Sequence, residues 1–282
     1  MHVAEILNIL AARETPFCLI GADDIHFTVE AMKLAFADRA HWLGDPDFVP
    51  VPRGLVSADY ARNLATKIDP LKVTSVAQHG TPERAADDIF GKHTTHFSTA
   101  DAGGWWVACT ATVNTTFGSK VVIPGTGIVL NNQMDDFSIQ PGVRNAFGLT
   151  GAEANAVAPR KRPLSSMAPT LVLRDGQPFL SLGAAGGPTI ISQVTLSIVR
   201  VLDGGLALND ALAAPRFHHQ WSPDELRIES AAGREVIADL RGRGHKPDSV
   251  SALGACHGIM RLPDGRFLAA GDPRVPGSAG AF

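Results

Sequence analysis

The chain has 282 residues, 45% hydrophobic and 19% charged, with 25 Lys and Arg against 28 Asp and Glu and a formal net charge of −3. That composition supports a buried core. It excludes a disordered polyelectrolyte and gives no overall charge that would draw nucleic acid or an anionic membrane. Cys18, Cys109 and Cys256, with no CxxC pair, exclude a disulfide scaffold and a cysteine-based zinc knuckle.

The first segment carries Val3, Ile6, Leu7 and Leu10 at helical spacing. Glu5 and Asn8 interrupt its apolar stretch and no basic residues precede it, so it reads as an amphipathic helix and not as a signal peptide. Residues 24–42 repeat the helical period, and no apolar run approaches the roughly 20 residues of a membrane span. Pro46, Pro50 and Pro52 break the next stretch, and Ser57 is placed to cap a third helix. Residues 72–93 are polar and aperiodic and read as an exposed linker.

From Thr94 the character changes to strand. Residues 94–100 and 105–114 read as two strands, with Trp106, Thr110, Thr112 and Asn114 on one face of the second and Val107, Cys109 and Val113 on the other. Further strands are expected at 127–131, at 171–174 with 178–182 around Asp175-Gly176, and at 257–262 with 266–270 around Asp264-Gly265. A long apolar helix follows the glycine-rich stretch 183–188. Helices first, then strands, then both, predicts an α+β fold with helices layered on a mainly antiparallel sheet.

Thr94-Thr95-His96 stands where the expected linker meets a strand. Two readings are open on those residues alone. Threonine favours strands, so the triplet simply opens one. Alternatively, cleavage between His93 and Thr94 frees an α-amino group, which can serve as the base that a threonine hydroxyl needs to become a nucleophile.

Thr94–Ser98 (TTHFS), Asn131–Phe137 (NNQMDDF), Lys161–Met167 (KRPLSSM) and the Gly186-Gly187 loop, in that order and spacing, resemble the gamma-glutamyltransferase (glutathione hydrolase) family of N-terminal-nucleophile hydrolases, in the C-terminal part of the precursor that includes the small subunit. The likeness runs through nearly the whole chain.

It implies a four-layer αββα sandwich, incomplete here because family precursors carry an upstream segment with part of the sheets and a substrate-binding arginine. Residues 1–71 would then end the large-subunit region, 72–93 would be a linker, and 94–282 the catalytic region. The resemblance also implies that Thr94 is both processing residue and nucleophile, that Thr112 orients it, and that Gly186 and Gly187 form the oxyanion hole. That glycine loop lies at a helix N-terminus, which suits developing negative charge. Asn114 and Gln133 match supporting polar groups, Ser165 and Ser166 the carboxylate-binding pair, and Asp136 the partner of the substrate ammonium. Phe147 stands in the pocket-covering loop, where many relatives carry tyrosine.

The implied activity is hydrolysis or transpeptidation of glutathione and other gamma-glutamyl amides, with water, an amino acid or a dipeptide as acceptor. Autocatalytic cleavage would generate the active form, and no metal or organic cofactor is implied. Adjacent His218 and His219 point to opposite faces of a strand and read as structural, not as metal ligands. A complementary upstream chain or self-association is expected, since missing strands expose sheet edges and apolar surface. Two alternatives remain: a remnant that is inactive or needs complementation, and an acylase of a related amide. Relatives are often periplasmic or extracellular, and the compartment of this chain stays open.

Overall fold

The computed structural model describes residues 1–13, 19, 21–81, 95–145, 147–275 and 279–280. Two helices open the chain, α1 (His2–Ala11) and α2 (Ala22–Trp42). α2 buries Ile25, Val29, Met32 and Phe36 along one stripe. Its first turn carries Asp23 and Asp24 and its last Arg39 and His41, the arrangement that complements the helix dipole. α3 (Ala58–Ala65) begins at Ser57, whose Oγ accepts the Tyr60 N–H at 3.2 Å, as its sequence predicts.

The described start of the expected linker, residues 72–81, lies along α2. The Thr74 N–H donates to the Glu30 carboxylate, the Gly80 N–H to Asp38, and Trp42 Nε1–H to the Gly80 carbonyl. Residues 82–93 and Thr94 lie outside the described residues.

β1 (His96–Ala100) and β2 (Trp106–Thr110) form an antiparallel pair, with His96 opposite Thr110. β3 (Thr170–Arg174) and β4 (Gln177–Ala185) form the expected hairpin, with Asp175 and Gly176 at positive φ in its turn. Then come α4 (Thr189–Leu202), α5 (Leu208–Ala213), β5 (Phe217–His218), β6 (Leu226–Glu229), α6 (Arg234–Gly242) and β7 (Pro247–Val250), and finally the hairpin of β8 (Ala255–Arg261) and β9 (Phe267–Ala270). The main sheet has the order β3-β4-β8-β9 and is wholly antiparallel; a small sheet, β5-β6-β7, contains one parallel pair, β6 with β7.

Two strand expectations are corrected, and one sheet is new. No strand forms at 127–131, where an isolated bridge joins Val122 and Val129. Pro124 removes a donor and Gly125 and Gly127 turn the chain at positive φ, so that arm folds on itself. The described pairing of β2 runs to Thr110 and not to Asn114, and Asn114 itself takes a left-handed φ of 78° that leaves the extended path. The small sheet with α5 and α6 was not expected; its strands of two to four residues are too short to show a period.

β4 serves two layers at once. Leu180, Leu182 and Ala184 face α4, where they pack with Ile190, Val194 and Ile198. The alternate residues Ser181 and Gly183 face the β1–β2 pair. α4 is apolar on its far side too, and Ile191, Leu196 and Val199 join a second core with α1, α2 and α3. The described layers are therefore helices, main sheet and β1–β2 sheet. On the outer face of the last, Phe97 is 51% and Val107 44% exposed, and no described element covers them. The fold is α+β, with three of the expected four layers formed by the described residues.

His96 locks the two sheets. Its ring is hydrogen-bonded to Thr110 Oγ1 at 2.8 Å and to Ser98 Oγ at 2.9 Å, and Ser98 continues to Ser181 Oγ at 2.7 Å. Gly183 makes the room, since a Cβ there would lie 2.1 Å from His96 Nδ1. Gly183→Ala is expected to lower stability by about 1–3 kcal/mol through overpacking, read as a lower urea midpoint.

Several histidines are held neutral by burial. It lowers His96 and His218 to about 4 and His245 to about 3, below the ordinary 6.5. The unfolded chain takes up protons that these folded sites refuse, so stability is full above pH 6.5 and falls as the pH drops toward 4. Thermal melts across that range are expected to show a steady decline in Tm, and the His245→Gln variant a shallower one.

Candidate active site

Beyond Thr110 the β2 chain stays bonded to its neighbour, and the Ala111 N–H donates to the Thr95 carbonyl at 2.5 Å. Thr112 follows, and its Oγ1 accepts the Asn114 N–H at 2.9 Å. Asn114 Nδ2–H donates to the Asn132 carbonyl at 2.8 Å, and the Asn132 N–H returns to the Val113 carbonyl. This ties Thr112 and Asn114 to the helical turn Gln133–Asp136.

Within that turn the acidic neighbours differ. Asp135 receives Asn132 Nδ2–H at 2.8 Å. Asp136 lines a small cavity with Arg39, Asn145 and Asn155, and its carbonyl accepts Asn155 Nδ2–H at 2.7 Å. The Gln133 amide is buried, and neither its nitrogen nor its oxygen has a hydrogen-bond partner among the described residues.

Arg39 stands between Asp136 and Ser166. Its guanidinium, buried at the end of α2, donates through Nη2 to Ser166 Oγ at 3.1 Å. Burial lowers it to about 10, and the charge of Asp136 opposes that fall. Ser165 Oγ accepts the Met167 N–H at 3.1 Å. Both serine oxygens thus receive a protein hydrogen, and each hydroxyl keeps its own proton to donate. Arg39 was not singled out from the sequence. The signal was there, for it continues the apolar stripe of Ile25, Val29, Met32 and Phe36, where a charge needs a reason.

Gly186 and Gly187 occupy the turn from β4 into α4 at φ 137° and 58°, conformations that L side chains rarely adopt. The Phe147 ring packs on the second of them; a Cβ on Gly187 would lie 2.9 Å from it. Asn145 Oδ1 accepts the Phe147 N–H at 3.0 Å, and Asn145 itself lines the Asp136 cavity. The cavity lined by Arg39, Asp136 and Asn145 is thus bordered by two sets of contacts, Arg39 to Ser166 on one side and Asn145 through Phe147 to Gly187 on the other. His93 and Thr94 lie outside the described residues.

His218 is hydrogen-bonded to Ser192 Oγ at 2.6 Å and to Gln220 Oε1 at 3.0 Å, while His219 pairs with Asp224 at 3.3 Å. Among the described residues no group of three or more His, Cys, Asp or Glu is placed to hold a metal ion, and no helix is long and apolar enough to cross a membrane.

The profile of the gamma-glutamyltranspeptidase family matches residues 1–282. The glutathione hydrolase proenzyme of Escherichia coli K12 is 45% identical over 276 residues, which are 97% of this chain and 47% of that protein. The chain thus spans about half the length of the curated relatives it matches. A solved acivicin-inhibited gamma-glutamyltranspeptidase chain, 45% identical with a TM-score of 0.62, is covered to 98% by 64% of this chain. A cephalosporin acylase from Bacillus halodurans is 29% identical with a TM-score of 0.82 and is matched over 100% of this chain and 49% of its own. On its sequence and its α+β fold, the chain belongs to the gamma-glutamyltranspeptidase family.

Proposed function

We propose that the chain is the catalytic portion of a self-processing gamma-glutamyl hydrolase or transpeptidase that works through Thr94. The observation that carries this reading is that two adjacent serine hydroxyls keep their protons, and that Arg39, which is bonded to one of them, Ser166, lines a cavity with the carboxylate-bearing Asp136. A glutamyl head group is a zwitterion. Ser165 and Ser166 donate to its carboxylate, and Asp136 attracts its ammonium. The Gln133 amide, without a hydrogen-bond partner among the described residues, offers a further donor and acceptor in the same turn as Asp136.

Two observations support the role of Thr94. Its successor Thr95 is bonded to Ala111, so Thr112 is the next residue past the last observed pairing. The solved family chain that is covered to 98% matches 64% of this chain, close to the share that residues 94–282 make up. In the processing step the Thr94 hydroxyl attacks the His93 carbonyl, and the peptide becomes an ester with a free α-amine on Thr94. Water opens the ester and leaves the His93 carboxylate. In turnover that amine takes the hydroxyl proton as Thr94 attacks the γ-carbonyl. The Gly186 and Gly187 N–H groups stabilise the oxyanion, and the leaving amine departs with the proton. Water or an amine acceptor then releases the glutamyl group. Phe147, packed on Gly187, shields the site from bulk water but has no hydroxyl to latch it.

The uncovered faces of Phe97, Trp105 and Val107 suit a complementary upstream chain or a second copy. A second reading, an acylase of a related amide, draws support from the cephalosporin acylase likeness over the whole chain. A glutaryl group has no ammonium, so Asp136 separates the two. Asp136→Asn is expected to raise KM for a gamma-glutamyl anilide roughly tenfold or more and to leave a glutaryl anilide unchanged.

The deciding measurement is the intact mass of the purified chain, alone and after co-expression with the N-terminal half of the Escherichia coli relative. Scission between His93 and Thr94, absent in Thr94→Ala, together with anilide turnover that the same variant abolishes, is the expected result. An intact, inert chain in both settings overturns the reading. Ser166→Ala is expected to raise KM for the gamma-glutamyl anilide roughly tenfold with kcat little changed, as loss of a ground-state contact requires.

A further inference from the structure

The second turn of α4 carries Gln193, which is buried and has no part in the chemistry above. Its Nε2 donates to the Ala185 carbonyl at 2.9 Å and to Thr189 Oγ1 at 3.0 Å, and its Oε1 accepts Arg216 Nη1–H at 3.2 Å. The neighbours fix which end is which, since arginine only donates and a carbonyl only accepts. Arg216 is itself immobilised: it donates to the Leu253 and Leu212 carbonyls, each at 2.9 Å, and pairs with buried Asp272. Gly254 gives the amide its space, because a Cβ there would lie 2.1 Å from Gln193 Nε2 and 2.5 Å from the Ala185 oxygen.

The consequence follows from peptide planarity. The carbonyl of Ala185 and the N–H of Gly186 belong to one trans peptide and point in opposite directions. The next peptide is held in the same way. Thr189 Oγ1, which receives Gln193, donates to the Gly186 carbonyl at 2.8 Å, and that carbonyl shares its plane with the Gly187 N–H. We propose that Gln193 is the positioning residue of this loop. It orients the Gly186 N–H directly and the Gly187 N–H through Thr189, so that both donors face away from α4. The proposal rests on the reading of Gly186 and Gly187 as the oxyanion donors.

Gln193→Glu is the discriminating variant. It keeps shape and the Arg216 contact but cannot donate to Ala185; Gln193→Met removes both contacts and serves if the first fails to fold. The full chain is measured in the settings described above. Hydrogen exchange is expected to quicken roughly tenfold in peptides covering 183–190 and to stay unchanged over 194–202, and kcat for a gamma-glutamyl anilide to fall roughly tenfold or more with KM within about twofold. A merely structural glutamine would not produce that division between kcat and KM. Unchanged exchange at 183–190, or parent-like kcat in both variants of an active parent, overturns the proposal and leaves the functional reading standing. A parent chain inert in both settings removes the reading and the proposal together.

Discussion

The structure depends on one strand being read from both sides. β4 alternates leucine and alanine toward α4 with serine and glycine toward the β1–β2 sheet, and the His96 ring fills the space that Gly183 leaves open. That contact does more than join two layers. His96 immediately follows Thr95, so the lock between the sheets also fixes where the chain emerges beside Ala111 and Thr112. Packing at the centre and placement at the edge are thus one constraint. The residue sensitive to it is a glycine whose backbone is unremarkable in φ but whose missing Cβ is occupied by an imidazole.

A second constraint is electrostatic. Behind the glycine loop, charged groups are removed from water, and each is satisfied from several directions. Arg216 is held by carbonyls, an amide and Asp272, and Arg274 by Glu229, Asp272 and three carbonyls. Such networks add little net stability when compared with a hydrophobic core, but they punish loss of any single member. Their role here is directional. They fix the Gln193 amide and the carbonyls that end α5 and precede β8, behind the loop that leaves β4.

Much of this was legible in the sequence. Long periodic segments gave α1, α2 and α4, the Ser57 cap gave the start of α3, and Asp175-Gly176 gave the tight hairpin. The failures have physical causes. β5 to β7 are too short to establish a period, Asn114 turns the chain one step past Val113, and Pro124 denies the 119–130 arm a regular ladder. The motif residues stand out by type and spacing as candidates, but their partners do not. Arg39 lies 127 positions from Ser166, and Gln193 is one of several polar residues in a mostly apolar helix. Nothing local in the sequence says that a buried amide faces a carbonyl eight residues back.

The described residues on either side of 82–94 do not form separate bodies. α1, α2 and α3 share a core with α4, β6 and α6, and Arg162 with Asp45, Arg243 with Asp23 and Arg39 with Ser166 cross the same boundary. A break in the intervening stretch would therefore leave two chains that are each other's folding partner. Unfolding would turn from a unimolecular event into a dissociation, and the melting temperature would come to depend on protein concentration.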